Sequence, residues 1–440
     1  MGYSQEQINK ILEENSLLKK ENEDLRKIIS SKRYQFANKL ATSYNTMFPL
    51  GSKRRGVVGK SLNGIKKVKK NKVKKNINEL REISKDFKKI IVVSGIVWNA
   101  PLPQRSHQLA LEFAKRKDIL VVYYEIDNFS DRYKKVKNNL VVISGRQLLF
   151  SMSVADKQKG LFMFNNVANI MLSDVETMQN KGFSLVYECI DELTDILSGG
   201  ASINQKEIVE KLPKLKVALF VSTAKRLTKQ LKQVVPNAKI IESKNAVKED
   251  EFDYEKFKKS EIPSDLKKIC SSGKEIVGYY GAISPWLDYN LIHKTAKKHP
   301  ELEWVFIGVD YDGALSKLDQ SIDNIHYLGA KTQTELPKYA GRFDCGIIPF
   351  LPGDIAKSTS PIKLFEYMAL GLPVVCTKDL VECQGYDYVY VSQNDSDFEE
   401  KILTAIKQSH QNDVRNRLLE QAKDNTWEMR AKEILEAVGY

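Results

Sequence analysis

The sequence predicts an α/β protein with two Rossmann-like domains, preceded by an N-terminal coiled-coil helix and a basic segment. Three observations predict it: a heptad pattern at the start of the chain, a long lysine-rich stretch, and an alternation of apolar strands and helices from residue 88 that restarts near residue 274. Such alternation is typical of parallel sheets covered on both faces. The 440 residues leave room for two or three domains with proper cores.

Residues 1–32 are predicted to form a coiled-coil helix. Apolar residues and asparagines recur three and four positions apart, at Ile8, Ile11, Asn15, Leu18, Asn22, Leu25 and Ile29. Asparagine at an a position fixes register and oligomer state at some cost in stability. About three heptads is short. The pattern favours self-association into a homo-oligomer, and a single solvated helix is the alternative.

Residues 33–87 are predicted to be a basic, membrane-proximal segment. Residues 1–90 hold 23 Lys and Arg against 9 Asp and Glu, a net charge of +14, whereas the whole chain carries +13. Aliphatic residues interrupt the lysines, which favours an anionic membrane surface as partner. No aromatic residue lies between Lys53 and Lys75 to stack on bases, which disfavours nucleic acid. A solvated linker is the remaining alternative.

The sequence also indicates where in the cell the protein is expected. No apolar run approaches the roughly 18 residues that span a bilayer, and the first residues lack the pattern of a cleavable leader. The five cysteines show no C-x-x-C spacing, so neither a disulfide framework nor a zinc site is indicated. We expect a cytoplasmic protein that associates peripherally with the inner face of the cell membrane.

The predicted first domain covers residues 88–249. It begins with an apolar strand at Lys88, followed by a helix over Gln104–Lys117. Later strands are predicted at Ile119–Glu125, Leu140–Gly145, Leu161–Asn166, Ser184–Asp191 and Lys216–Ser222. Residues 250–273 are charged and are predicted to be the passage between the domains.

The predicted second domain covers residues 274–410. Its strands are predicted at Glu275–Ser284, Leu302–Gly308, Asn324–Gly329 and Phe343–Phe350, with helices between them. Residues 411–440 are predicted to be a C-terminal helix that crosses back onto the first domain.

The segment 360–375, SPIKLFEYMALGLPVV, carries the strongest chemical signal. Lys363 and Glu366 lie one turn apart on a helix that starts behind Ser360 and Pro361 and ends at Gly371. A helix N-terminus attracts a diphosphate, Lys363 could neutralise phosphate, and Glu366 could accept hydrogen bonds from a ribose diol. A solvated ion pair on an amphipathic helix is the alternative.

Two glycines bracket the turn after the first strand of the second domain. At Gly278 and Gly281 the backbone could approach phosphate oxygens that a Cβ would exclude. Ligands of open parallel sheets bind at the carboxyl ends of the strands. We therefore predict one donor site shared by these glycines and Glu366, with a simple tight turn as the alternative.

Residues 360–375 resemble the sugar-nucleotide motif of GT-B glycosyltransferases, in the clan of family 4 and bacterial cell-surface polysaccharide enzymes of the teichuronic-acid type. Similar motifs follow one another from residue 90 to the end of the chain: QRSHQLA (104–110), YECIDEL (187–193), KNAV (244–247) and GYYGAISPWLDYNL (278–291). The resemblance implies that Glu366 holds the donor ribose and that Lys363 contacts the donor phosphates. Retaining family 4 enzymes have a glutamate eight positions before this one, where the present chain has Ser358.

The resemblance implies a glycosyltransferase whose first domain binds the acceptor and whose second domain binds a nucleotide sugar. A UDP-sugar donor, a lipid-linked glycan precursor as acceptor, and inversion without a metal are the expectations. No cofactor is expected beyond the nucleotide sugar as co-substrate. A 2-epimerase of the same fold and an inactive coiled-coil scaffold are the alternatives.

Four residues of the first domain are predicted to serve the chemistry. Inverting transfer needs a base on the acceptor hydroxyl, and Asp191 and Glu192 end a predicted strand where such a base belongs. An N-cap is the structural alternative for Asp191. His107 is a further catalytic candidate, with a buried, satisfied histidine as the alternative. Arg105 is predicted to bind a phosphate of the acceptor.

Two D-x-D sequences leave a metal-dependent GT-A reaction to consider. They are Asp310-Tyr311-Asp312 and Asp395-Ser396-Asp397, and paired carboxylates could hold Mg²⁺ against a diphosphate. A GT-A domain would place its D-x-D after one nucleotide-binding half, whereas both sequences here follow the restart near Glu275. We expect no metal site.

Overall fold

A computed structural model describes residues 71–100, 103–126, 131–168, 170–192 and 202–440. The chain divides into two compact units, residues 1–74 and 75–440, and the fold below belongs to the second. The predicted coiled coil and most of the basic segment lie outside the described residues. Within the described residues, no helix combines the length and the apolar composition that crossing a membrane requires.

The first lobe is built on an eight-stranded sheet. Its strands are β1 (Lys89–Gly95), β2 (Ile119–Glu125), β3 (Arg132–Lys137), β4 (Leu140–Ser144), β5 (Lys159–Asn165), β6 (Ser184–Cys189), β7 (Val217–Ser222) and β8 (Ile240–Glu242). Its helices are α1 (Arg105–Phe113), α2 (Arg146–Ser151), α3 (Leu172–Asn180), α4 (Ser202–Lys211) and α5 (Lys225–Val234). The strand order is β3-β4-β2-β1-β5-β6-β7-β8, with all neighbours parallel except β3 and β4.

Two short helices, α6 (Tyr254–Lys258) and α7 (Ser264–Cys270), occupy the passage to the second lobe. The second sheet has six parallel strands, β9 (Ile276–Tyr280), β10 (Glu303–Ile307), β11 (Ile325–Tyr327), β12 (Cys345–Ile348), β13 (Val374–Cys376) and β14 (Val389–Val391). Its helices are α8 (Tyr289–Lys298), α9 (Leu336–Ala340), α10 (Asp354–Ser358), α11 (Ile362–Ala369), α12 (Asp395–Ser409) and α13 (Asn412–Lys423). The order β11-β10-β9-β12-β13-β14 is that of a dinucleotide-binding sheet.

These findings confirm the α/β prediction with two parallel-sheet domains. Central strands form where the sequence is continuously apolar: all seven residues of β2 are buried, as expected for strands covered on both faces. The edge strand β3 was not predicted, because its sequence RYKKVK is mostly charged and exposed. An edge strand needs only one partner, here β4, and charges protect its open side.

The last helix, α14 (Trp427–Ala437), packs on α1 of the first lobe. Trp427 is buried in the first lobe's core together with Leu109 and Phe113. A short bridge between Val247 and Thr426 ties the entry of this helix to the end of the first lobe. The chain thus crosses between the lobes twice, and the two crossings lie side by side.

The strand order reverses once in each sheet, between β1 and β5 in the first and between β9 and β12 in the second. At such a point the loops leaving adjacent strands diverge to opposite faces, and a crevice opens at the carboxyl edge. The residues that follow β1, β5 and β6 in one lobe, and β9, β10 and β12 in the other, are therefore those to inspect for a site.

Candidate active site

Glu366 lies at the centre of the second lobe's carboxyl edge, on α11. Its side chain is buried, with 6% of the residue exposed. The Tyr280 hydroxyl donates to Oε2 at 2.7 Å and the Gln333 amide donates to Oε1 at 3.1 Å. A carboxylate has about four lone-pair positions, so each oxygen keeps a second one for a ligand hydroxyl. Two fixed donors thus orient a group that can still bind a diol.

Burial raises the pKa of Glu366, while the hydrogen bonds from Tyr280 and Gln333 and the charge of Lys363 oppose that rise. The two donors therefore favour the ionised carboxylate that a ribose diol requires as acceptor. Sequence reasoning missed both of them. Gln333 follows β11 in a polar loop, and no pattern in the sequence indicates that it reaches a helix 33 residues away.

Lys363 lies one turn before Glu366 and forms no ion pair with any residue that the structure describes. Its Nζ lies 5.2 Å from the ring centre of Tyr279 and 5.3 Å from that of Phe350. Burial lowers the pKa of Lys363 to about 8, and the charge of Glu366 limits the decrease. A cation held against two rings without a paired carboxylate is well placed to receive an anion.

Gly281 is the glycine that contacts this cation. It follows β9 with φ +139°, and a Cβ added there would lie 3.0 Å from Lys363 Cε. A side chain at this position would therefore crowd Lys363, and its φ is one that glycine adopts without strain. Gly278 differs, because it lies within β9 and its missing side chain leaves room for the Phe343 ring, which a Cβ would overlap at 1.9 Å. Packing alone explains Gly278.

Ser360 and Pro361 form the entry to α11, with Pro361 as the residue before the first helical turn. The Ser360 hydroxyl accepts from the Asn245 amide N–H at 3.1 Å, and its carbonyl accepts from the Asn245 side chain at 2.7 Å. Asn245 belongs to the KNAV segment at the end of the first lobe. These bonds fix the start of the Lys363 helix against the other lobe.

Asp191 and Glu192 follow β6 at the carboxyl edge of the first lobe. Burial raises the pKa of Asp191 to about 6, and its carbonyl is held by the Asn166 side chain at 2.5 Å. Glu192 accepts hydrogen bonds from Arg226 (3.1 Å), Gln230 (2.8 Å) and Ser358. Burial opposes ionisation of Glu192, but these bonds outweigh it and lower its pKa.

The contact between Glu192 and Ser358 joins the lobes beside the site. Arg226 strengthens it, because its guanidinium pairs with Glu192 at 3.1 Å and with Asp354 of α10 at 3.0 Å. Asp191 is therefore next to a residue that touches α10, the helix directly before the Lys363 helix. Asp191 thus precedes in sequence the residue that contacts Ser358, and Ser358 lies five residues before Lys363 and eight before Glu366.

His107 and Arg105 do not face this junction with free groups. His107 Nδ1 accepts from the Gln104 amide N–H at 3.0 Å, so Nε2 carries the proton and donates to the Val97 carbonyl at 3.1 Å. Burial lowers the pKa of His107. The histidine is thus neutral, 3% exposed, and orders the loop after β1.

Arg105 is engaged in the interior of the first lobe. Its Nε donates to Glu188 at 2.9 Å and a second nitrogen donates to the Lys244 carbonyl at 2.9 Å, and only 2% of the residue is exposed. A buried guanidinium whose donors are occupied does not reach an acceptor phosphate. The geometry therefore does not support the predicted acceptor-binding role, and it gives Arg105 a structural one.

One cluster with metal-ligating side chains occurs among the described residues. Glu275, Asp344 and His410 offer atoms within 4.8 Å of one another. Burial, with a hydrogen bond shared with Glu275, raises the pKa of Asp344 to about 7. Glu275 and Asp344 precede β9 and β12, at the amino edge of the sheet, so the cluster lies on the side of the sheet opposite Lys363 and Glu366.

The residues that form the donor-like arrangement match a known family. The family model of glycosyl transferases group 1 matches residues 277–408, which include Gly281, Gln333, Lys363 and Glu366. The chain contains a group 1 glycosyltransferase domain. Residues 277–408 comprise the second lobe from β9 to the end of α12, so the group 1 domain and the predicted donor site coincide.

A curated relative shares part of the chain. TuaH of Bacillus subtilis (strain 168), a teichuronic acid biosynthesis glycosyltransferase by name, is 28% identical over 131 residues. The match covers 29% of this chain and 33% of TuaH, so the chain spans about a third of the length of that relative.

Solved structures share the fold over both lobes. HepE from Anabaena, in complex with UDP and glucose, superposes with a TM-score of 0.56 at 13% identity and covers 80% of this chain and 99% of its own. The E. coli trehalose-6-phosphate enzyme bound to UDP-2-fluoro glucose gives 0.60 at 10% identity, covering 80% and 98%. Sucrose-phosphate synthase from Thermosynechococcus elongatus gives 0.58 at 12% identity, covering 79% and 98%. At these identities the likeness establishes the two-lobed architecture around the group 1 domain.

Proposed function

We propose that the protein is a glycosyltransferase that moves a sugar from a UDP-sugar to a glycan precursor of the cell surface. The observation that carries the proposal is the arrangement on α11, where the oriented carboxylate of Glu366 and the cation of Lys363 lie one helical turn apart inside a group 1 domain. Among the described residues, no carboxylate forms an ion pair with Lys363. A ribose diol on Glu366 would place the diphosphate near Lys363 and Gly281. The UDP complexes of HepE and of the E. coli enzyme support uridine as the nucleoside of the donor.

The proposed reaction uses Asp191 of the first lobe and Lys363 of the second. Asp191 takes the proton of the acceptor hydroxyl as its oxygen attacks the anomeric carbon of the donor sugar. The bond from that carbon to the diphosphate oxygen breaks, and UDP leaves with the electron pair. Lys363 and the positive end of the α11 dipole stabilise the departing charge. The sugar is transferred with inversion, because attack and departure occur on opposite faces of one carbon.

Two features support inversion without a metal. Ser358 stands where retaining family 4 enzymes have a carboxylate, and its hydroxyl is bound to Glu192 of the first lobe. Leaving-group charge can be balanced by Lys363, so the reaction requires no cation from the D-x-D at Asp310 and Asp312, whose side chains are exposed.

The activity is tested with purified full-length protein and a panel of UDP-, GDP- and dTDP-sugars offered with short lipid-diphosphate acceptors. Transfer from at least one UDP-sugar supports the proposal. Reversible change of the sugar at C2 without transfer would instead indicate an epimerase. Failure to bind any nucleotide sugar would indicate a scaffold.

The pH dependence of donor affinity provides a sharper check of Lys363. The free ammonium group titrates near pH 8, and a bound diphosphate would hold it charged, so its pKa rises on binding. UDP affinity is therefore expected to be flat between about pH 7 and pH 8 and to fall by up to tenfold per pH unit above it. Titration calorimetry from pH 7 to 9.5 measures this. Lys363→Arg should remove the decrease, and the same decrease in that variant would exclude Lys363 as its source.

We also propose that the acceptor is lipid-linked and that the protein contacts the inner membrane face through basic residues. A cavity of about 590 Å³ at the amino edge of the first sheet supports the membrane contact, because basic side chains predominate among its charged residues. Its lining includes five basic side chains and one carboxylate: Arg81, Lys85, Lys88, Lys157, Lys181 and Asp156. Arg81, Lys85 and Lys88 continue the cationic character of the preceding segment into the described fold.

Membrane contact is expected to depend on lipid charge. The full chain should co-sediment with vesicles containing 30% phosphatidylglycerol and should be released by about 0.5 M salt, because screening shortens the range of the attraction. Vesicles of phosphatidylcholine alone should leave it in solution. Equal binding to both kinds of vesicle would contradict an electrostatic contact.

A further inference from the structure

Aromatic and aliphatic side chains lie at the carboxyl edge of the second lobe, three of them exposed and Trp286 half-buried against the core. Trp286 follows β9, Val309 and Tyr311 follow β10, and Leu351 follows β12. Val309, Tyr311 and Leu351 are 43%, 36% and 44% exposed. The three strands are neighbours in the sheet, so their loops meet at one place. We call Trp286, Tyr311 and Leu351 the aromatic platform.

The platform is held rigidly by the backbone. The Leu351 amide donates to the Trp286 carbonyl at 2.8 Å, and the Tyr311 amide donates to the Ile283 carbonyl at 2.9 Å. The rings of Trp286 and Tyr311 lie 5.3 Å apart with their planes tilted by 57°. Because these loops are already ordered, covering them with a ligand costs little conformational entropy of the backbone.

A short chain of contacts leads from the platform to the donor site. Lys363 Nζ lies 5.3 Å from the ring centre of Phe350, and Phe350 directly precedes Leu351. Glu366 lies three residues further along α11, about 4.5 Å away along the axis. A donor bound with its ribose on Glu366 and its diphosphate on Lys363 would therefore point its reacting end toward the platform.

The first lobe meets the second close by. Leu351 lies three residues before Asp354, which pairs with Arg226 of the first lobe at 3.0 Å. One end of the platform is thus three residues in sequence from an ion pair between the lobes, and Arg226 of that pair also binds Glu192, the neighbour of Asp191. A molecule that lies on the platform can extend toward that contact between the lobes.

The chemistry of the surface favours a sugar ring. A pyranose has a flat C–H face and a rim of hydroxyls. Aromatic rings provide an apolar, electron-rich surface for such a face. The exposed carboxylates of Asp310 and Asp312 flank Tyr311 in sequence and offer acceptor oxygens, although Asp310 Oδ1 already accepts from the Leu315 amide at 2.9 Å. The same two carboxylates would repel an anionic lipid surface. The donor's own sugar is disfavoured, because a reacting sugar must be shielded from water and the platform is open.

We propose that the aromatic platform is a subsite for a saccharide ring of the acceptor, which rests on the proposed transferase function. It would position a growing or oligomeric glycan so that its terminal hydroxyl reaches Asp191. The acceptor class is thereby narrowed to molecules that carry at least one sugar ring beyond the one that reacts.

The test uses the full chain and three neutral probes, cellotetraose, chitotetraose and maltotetraose, followed by tryptophan fluorescence and calorimetry. At least one probe is expected to bind the wild type, and Trp286→Ala and Tyr311→Ala should each weaken that binding tenfold or more. Trp286→Phe should keep it within about threefold. Leu403→Ala removes an exposed apolar side chain on α12 and serves as the matched control, with wild-type affinity expected.

Measuring UDP affinity distinguishes a failure of the subsite proposal from a failure of the proposed transferase function. All four variants should bind UDP and UDP-glucose within twofold of the wild type. The subsite proposal is contradicted if no probe binds the wild type, or if Trp286→Ala and Tyr311→Ala bind the probe as tightly as the wild type does. It is also contradicted if these two variants bind UDP-glucose more weakly than the wild type but bind UDP equally well. That result would assign the platform to the sugar of the donor. Absence of UDP binding in the wild type would instead refute the proposed transferase.

Discussion

A chain in which Asp191 is replaced by asparagine is expected to transfer sugar ~10²- to 10⁴-fold more slowly than the wild type, the range that a positioned general base contributes. The amide cannot take the proton of the acceptor hydroxyl. It has nearly the shape of the carboxyl group, and because burial already raises the pKa of Asp191 to about 6, a neutral group at this position is not expected to unfold the lobe. Steady-state transfer rates and UDP-sugar affinity, measured side by side, check both expectations.

Glu192→Gln is the matched control for this change. Glu192 is adjacent, but its carboxylate is occupied by Arg226, Gln230 and Ser358, so its loss should reduce the rate less than tenfold. If Glu192→Gln caused the large loss and Asp191→Asn retained a near-normal rate, the assignment of the base would be reversed.

The wild-type pH profile gives a second measure of the same group. A base must be ionised to act, so kcat/KM should fall about tenfold per pH unit below pH about 6, following the raised pKa of Asp191. A rate that is constant down to pH 5 would contradict Asp191 as the base. The decrease in affinity expected from Lys363 lies above pH 8, so the two groups are distinguishable in one titration.

Replacing Glu366 by alanine is expected to weaken UDP binding by about ten- to a hundredfold. A hydrogen bond to a charged group contributes about 1.5–3 kcal/mol, and each 1.4 kcal/mol is tenfold in affinity. The change also leaves the Tyr280 hydroxyl and the Gln333 amide without their acceptor. Calorimetry with UDP measures the loss, and Glu400→Ala, an exposed position on α12, is the matched control that should not change it.

Two further measurements test whether the UDP affinity lost in Glu366→Ala is the contribution of the ribose. The analogue 2′,3′-dideoxy-UDP should bind the wild type more weakly than UDP does, and Glu366→Ala should bind the two equally. Tyr280→Phe should show a smaller decrease, about three- to tenfold, because it removes one oriented donor and keeps the carboxylate. A Glu366→Ala variant that still preferred UDP to the dideoxy analogue would place the ribose elsewhere.

Much of the fold followed from local pattern. Strands such as β2 and β4 were located from their apolar runs, and α11 from Pro361 and Gly371 at its ends. The edge strand β3 was missed because its polar sequence forms a strand only through pairing with β4. A periodic pattern of apolar residues reveals a strand with a buried face, and most of β3 is exposed.

The candidate site was only partly predicted, because some of its residues are close in sequence and others are not. Lys363 and Glu366 are close in sequence, so their common helix face was foreseeable. The partners that define their chemistry are distant: Tyr280 is 86 residues from Glu366, and Ser358 is 166 residues from Glu192. Arg105 and His107 had the right position along the chain, but whether their polar atoms face a ligand or the interior depends on Glu188 and Val97. The residues next to Arg105 and His107 in the sequence do not predict those distant contacts.

The central claim is that the second lobe binds a UDP-sugar between Glu366 and Lys363. A crystal structure of the full chain soaked with UDP tests it most directly. The ribose hydroxyls should lie within hydrogen-bonding distance of the Glu366 carboxylate, with diphosphate oxygens beside Lys363 Nζ and the Gly281 backbone. UDP bound at another place, or bound here with its ribose turned away from Glu366, would contradict the account.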